Sequence, residues 1–108
     1  MRLQSAKKIA ELPNGSRVRA AGIVTCRQRP GTASGVIFVT LEDETGNVNV
    51  IVWNNVLQKQ RHELLGATLL GVGGQIQREG EVIHLVAARL FDYSALLGSL
   101  TTTSRDFH

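Results

Sequence analysis

Residues 35–53 read GVIFVTLEDETGNVNVIVW, and their alternation decides the fold. Ile37, Val39 and Leu41 fall on one side of the first half, and Val48, Val50 and Val52 fall in register on the second. Side chains point to opposite faces at successive strand positions, so these six aliphatics share one face and demand a core. Asp43-Glu44-Thr45-Gly46 makes a tight connection between the strands, with Gly46 suited to a positive φ. The other face is the unusual one. It carries Val36, Phe38, Thr40 and Glu42 opposite Asn47, Asn49, Ile51 and Trp53, so two aromatic rings stand where a solvated sheet face would be polar.

The rest of the chain supplies the frame for this hairpin. At 108 residues it has length for one domain with one core, and its 43% hydrophobic and 19% charged residues are those of an ordinary soluble globule. Apolar runs such as Val48–Trp53 and Val82–Leu90 are interrupted by Asn49, His84 and Arg89 and fall short of the roughly 20 residues a membrane span requires. Arg2, Lys7 and Lys8 are not followed by a continuous apolar segment, so no signal-peptide pattern opens the chain and a cytoplasmic location is expected. The single cysteine, Cys26, excludes an internal disulfide framework and reads as a small buried hydrophobe in a strand. The net charge of +3 suits a polyanionic partner.

Residues 1–14 read as a lead-in helix and linker, with Ser5 as a cap and Pro13-Asn14-Gly15 as the stop. RVRAAGIVTCR (17–27) is a long strand in which Gly22 is placed for a bulge or bend. Arg29-Pro30-Gly31-Thr32-Ala33-Ser34-Gly35 is a surface loop by its turn formers. NNVLQKQRHELL (54–65) predicts a short helix, capped by Asn54 or Asn55 and ended by Gly66 in the left-handed region. Two further strands, Ala67–Gln77 and Glu81–Leu90, flank a turn at Arg78-Glu79-Gly80. Gly71, Gly73 and Gly74 lack the dinucleotide spacing and read as barrel corners and bulges. The order strand, strand, strand, helix, strand, strand predicts an all-β fold, a five-stranded OB-fold Greek-key barrel over residues 15–92, with a short helix between strands 3 and 4 and a C-terminal tail over 93–108.

An OB-fold binds oligonucleotides over strands 2 and 3 and the flanking loops, which is where the two rings lie. Bases stack on such rings for roughly 1 to 3 kcal/mol each. Phe38 and Trp53 are therefore the expected stacking platform, and Asn49 and Thr40 the polar contacts to base edges. Arg27 and Arg29 on the loop after strand 1, and Arg78 at the turn between strands 4 and 5, are expected to face phosphates. Ordinary packing is the competing reading of Phe38, and cover for the barrel bottom that of Trp53. Arg17 and Arg19, and Lys59 and Arg61 on the helix, read as solvated surface. No catalytic residues are expected. Glu42, Asp43 and Glu44 are consecutive and diverge, His62, His84 and His108 lack paired-ligand spacing, and G-x-S-x-G does not occur, so neither a metal site nor a cofactor site is indicated.

VIFVTLEDETGNVNVIVW resembles the signature of OB-fold domains of the anticodon-binding type, in which a strand-2 phenylalanine stacks a base and a strand-3 polar residue reads it; those positions are Phe38 and Asn49. A wider stretch, from about Ala6 through the RQRPG loop to the terminal SRDFH, is similar to the C-terminal part of the bacterial error-prone DNA polymerases, C-family enzymes of damage-induced mutagenesis. The chain departs from that pattern at Asn54, where the family usually has proline. The resemblance implies a non-catalytic single-stranded DNA binding module cut from a longer DNA-directed DNA polymerase, whose catalytic centre lies elsewhere. It also implies partners among the other polymerase subunits, and the alternative function is a protein-interaction OB domain that docks one of them. RNA binding is a third possibility carried by the shorter motif.

Overall fold

In the computed structural model, residues 3–28 and 35–96 are described. Five strands close into one barrel in the order β1-β2-β3-β5-β4, with β1 Arg17–Gln28, β2 Val36–Asp43, β3 Gly46–Trp53, β4 Leu69–Glu79 and β5 Val82–Asp92. All neighbours are antiparallel except β3 and β5, which run parallel through Val50↔Leu85 and Ile51↔Val86. This is the Greek-key barrel expected from the order of elements.

The hairpin register follows from the aliphatic alternation. Ile37 faces Val52, Val39 faces Val50 and Leu41 faces Val48. These six join Leu70, Val72, Ile76, Leu85 and Leu90 in one core cluster. Leu41, Leu64, Leu70 and Leu85 are fully buried, and each such side chain contributes roughly 1.5 to 3 kcal/mol through water exclusion.

Both barrel ends are plugged. At one end α1, Ala6–Ile9, inserts Ala6 and Ile9 into the core. Ser5 caps it by accepting from the Lys8 N–H, as expected. Asp43, in the β2–β3 turn, holds the same helix: Oδ2 accepts from the Ala6 N–H at 2.7 Å, while Oδ1 accepts from the Thr45 N–H and hydroxyl at 2.7 Å and the Gly46 N–H at 3.1 Å. Burial of this carboxyl raises its pKa, but the Thr45 hydroxyl and the three backbone donors outweigh that and hold it below the ordinary carboxylate value.

The other end departs from a single helix. Two short helices, α2 Asn54–Lys59 and α3 Arg61–Gly66, meet at Gln60, whose backbone sits at φ −128°, ψ 41°. The Gln60 side chain explains the break. Its Nε2 donates to the Leu90 carbonyl at 2.7 Å and its Oε1 accepts from the Leu90 N–H at 2.8 Å, so it pairs with β5 as a strand would. Trp53 occupies the N-cap position of α2 without a side-chain cap, so neither Asn54 nor Asn55 serves as the cap. Gly66 ends α3 without entering the left-handed region; among the described residues the positive-φ glycines are Gly15, Gly35, Gly46 and Gly80.

Two irregularities bend the barrel. In β1 the register shifts between Val24 and Cys26, two residues beyond the site expected at Gly22. Gly22 serves a different purpose, since a Cβ there would lie 2.8 Å from the Glu42 carbonyl oxygen. In β4 the shift falls between Gly73 and Gly74, as expected of a corner. The turn joining β4 to β5 begins two residues later than expected and ends one later, at Gly80-Glu81, with Arg78 and Glu79 inside β4 and Gly80 at φ 61°.

Candidate nucleic-acid interface

The outer face of the barrel is read in rows across the strands. One row runs Gln28, Phe38, Ile51, Val86 and Gln75, each paired with the next. The adjacent row joins Cys26 to Thr40 and Thr40 to Asn49 on one side, and His84 to Gln77 on the other. Cys26 is half-buried on this outer face, not in the core where the sequence placed it.

Phe38 is half-buried at the centre of the face. It lines a groove of about 250 Å³ with Ile51 from β3, Val82 and His84 from β5, and Gln77 and Glu79 from β4. Ile51 is only 8% exposed, so it forms the groove floor, whereas Val82 is 56% exposed and forms a wall. The His84 ring lies 6.4 Å from Phe38, centroid to centroid, at 46°. Phe38 and His84 together present two ring systems separated by about the spacing of aromatic neighbours in protein cores.

Thr40 donates from its hydroxyl to Asn49 Oδ1 at a long 3.5 Å, which leaves the Asn49 amide hydrogens free. Trp53 is 51% exposed at the end of β3. It pairs with Val36, while Phe38 pairs with Ile51, so the two rings are diagonal neighbours roughly 7 to 8 Å apart at the backbone. Trp53 lies outside the groove that Phe38 lines.

The arginines are placed differently from expectation. Arg27 pairs with Val39, a core position, and so projects toward the barrel end. Its Nε donates to the Leu64 carbonyl at 2.8 Å and its Nη2 to the Ala67 carbonyl, which satisfies the C-terminal carbonyls of α3. Arg78 donates through Nη2 to the Ala10 carbonyl behind α1, and its Nε is buried without a partner. Both guanidinium groups tie helices to the barrel instead of standing free at the rim. Arg29 lies outside the described residues, as do most of the loop that carries it and the chain after residue 96.

His84 and Gln77 are the residues that sequence reasoning missed. The parallel β3–β5 pairing brings them beside Phe38, and no alternation within one strand reveals that neighbour. Among the described residues no cluster of three or more metal-ligating side chains occurs, and no helix is long and apolar enough to cross a membrane.

Residues 18–92 match the family described as the OB-fold nucleic acid binding domain. The chain belongs to that family. This OB-fold domain is 62% identical over 107 residues to the error-prone DNA polymerase of Azoarcus sp. (strain BH72), a match covering 99% of this chain and 10% of that protein. It is 67% identical over 91 residues to the error-prone DNA polymerase of Dechloromonas aromatica (strain RCB), covering 84% and 9%. The chain thus spans about a tenth of the length of these curated relatives. Among solved structures, asparaginyl-tRNA synthetase from Pyrococcus horikoshii superposes with a TM-score of 0.69 at 24% identity, over 86% of this chain and 22% of that one. At that identity the likeness concerns the fold.

Proposed function

We propose that this OB-fold domain is a non-catalytic module that holds single-stranded DNA for an error-prone, translesion DNA polymerase in the bacterial cytoplasm. The observation that carries this reading is the Phe38 groove. A half-buried phenylalanine with an aliphatic floor and an imidazole beside it offers flat apolar contact on the strands where OB-folds bind oligonucleotides. Bases gain from stacking there whatever their identity, which suits a template-holding surface that must accept damaged sequence. Asn49, Thr40 and Gln77 supply donors and acceptors around the rings, and Trp53 extends the platform along β3.

Arg27 and Arg78 already donate to backbone carbonyls, so their part in binding is secondary to holding the barrel ends. Arg29 keeps its assignment as a phosphate contact from the loop after β1.

Chemical-shift mapping of the 108-residue chain with a short oligo-dT tests this reading. Shifts concentrated at Phe38, Asn49, Ile51, Gln77 and His84 are expected. A spectrum unmoved by single-stranded DNA removes the reading and leaves the same face as a dock for another polymerase subunit.

A further inference from the structure

On the far side of the β4–β5 hairpin the barrel carries a second surface of different chemistry. Arg19 on β1 pairs with Gly73 on β4, and Gly73 pairs with Arg89 on β5, so a bare glycine separates two arginines on the strands that flank β4. One step along, Ala21 pairs with Gly71 and Gly71 with Phe91. The guanidinium carbon of Arg19 sits 4.5 Å from the Phe91 ring centroid and that of Arg89 5.6 Å from it. Tyr93 stacks on Phe91 at 5.9 Å and 6°. Gly71 makes this possible, because a Cβ there would lie 2.4 Å from the Tyr93 ring. Cation–π contact restrains the two guanidinium groups while leaving their in-plane N–H donors available, the state best suited to phosphate oxygens.

Beside these residues lies a trough of about 440 Å³, lined by Arg17 and Arg89 at its edges and by Gly73, Gly74, Gln75 and Val86 along its base. Its volume is within the range of small-ligand sites, and its glycine base lets a chain approach the sheet closely. The trough also continues the Phe38 groove. A third concavity, of about 290 Å³, shares Gln77 with the Phe38 groove and Gln75 and Val86 with the trough. The three together run from β2 across β3, β5 and β4 to β1, about 19 Å around the barrel at the usual strand spacing. Glu79 lines the Phe38 groove toward the hairpin tip and repels phosphates there, which directs an anionic chain the other way, toward Gln75 and Arg17.

We propose that the Arg17–Arg89 trough is a second contact site for the same single strand, gripping its phosphodiester backbone after the bases leave the Phe38 groove. This rests on the reading of that groove as the base-stacking face. The site takes phosphates and no bases, since Phe91, the ring at hand, is already packed against Arg19 and Tyr93.

Anisotropy titrations with oligo-dT of about 4 and about 12 nucleotides, a short and a long length within the usual OB-fold site range, separate the two surfaces. The double variant Arg17→Gln/Arg89→Gln is expected to bind the short oligonucleotide like wild type. It should bind the long one several-fold more weakly, with a log–log salt slope shallower by about 1.4, or about 0.7 for each phosphate no longer neutralised. Arg17→Lys/Arg89→Lys should restore most of the slope, which a variant that merely loosened the barrel would not do. Phe38→Ala should weaken both lengths. Unchanged affinity and slope of the Gln double variant on the long oligonucleotide overturns the trough while leaving the Phe38 groove standing. Loss in the Gln double variant without any loss in Phe38→Ala leaves the trough as a binding site in its own right and removes the base-stacking reading.

Discussion

The imidazole of His84 and the ring of Phe38 stand 6.4 Å apart, although they sit on strands β5 and β2 that are separated by β3. They close one groove together. If a base bridges the two rings, removing both should cost less than the sum of the single losses. His84→Ala, Phe38→Ala and the double variant, titrated with oligo-dT, are expected to give a coupling of about 0.5 to 1.5 kcal/mol. Strictly additive losses indicate that the rings touch different bases.

Asp43 makes folding sensitive to acid. Its folded pKa lies below the ordinary value of 3.8, so its contribution to stability is fully present above that value and disappears as pH falls through the folded pKa. Urea midpoints of wild type should therefore drop between about pH 4.5 and pH 2, and Asp43→Ala should flatten that limb. At pH 7 the variant is expected to lose about 2 kcal/mol, because the Ala6 and Gly46 N–H groups lose their acceptor.

Two glycines should respond oppositely to alanine. At Gly74 a Cβ would lie 2.0 Å from the backbone oxygen of Val86, which cannot move without breaking the β4–β5 ladder. Gly74→Ala is expected to cost about 3 kcal/mol or to prevent folding. Gly66 ends a helix without a positive φ, and a Cβ there would meet nothing within 4 Å. Gly66→Ala is expected to raise stability by about 0.5 kcal/mol. Thermal melts of both check the pair.

Arg27 is expected to behave as a structural arginine. Arg27→Ala should lower stability by about 1 to 2 kcal/mol through the two carbonyls it leaves at the end of α3, with little change in the salt slope of DNA binding. A slope shallower by about 0.7, with stability unchanged, would instead assign it to a phosphate.

The hairpin was legible in the sequence because a period of two is a local property: Ile37, Val39 and Leu41 before the turn and Val48, Val50 and Val52 after it hold the same alternation, and a one-residue slip would turn all six outward. The helix break at Gln60 was not, because it depends on a side chain reaching Leu90, thirty residues away. The arginines mislead for a similar reason. Arg27 and Arg78 carry the charge that a nucleic-acid surface needs, yet each reaches a helix-end carbonyl more than thirty residues distant, and only the closed barrel brings those carbonyls near. Arg17 and Arg19 read as solvated positions until the β1–β4–β5 pairing gathers them with Arg89 around the Gly73 corner.

The stacking role of the β2–β3 face is tested most directly by the affinity of wild type and Phe38→Ala for labelled oligo-dT, measured by fluorescence anisotropy at low salt. Loss of one stacked base, worth about 1 to 3 kcal/mol, corresponds to a weakening of about 5- to 150-fold, and a weakening in that range is the expected result. Equal affinity of two proteins that melt alike would contradict it.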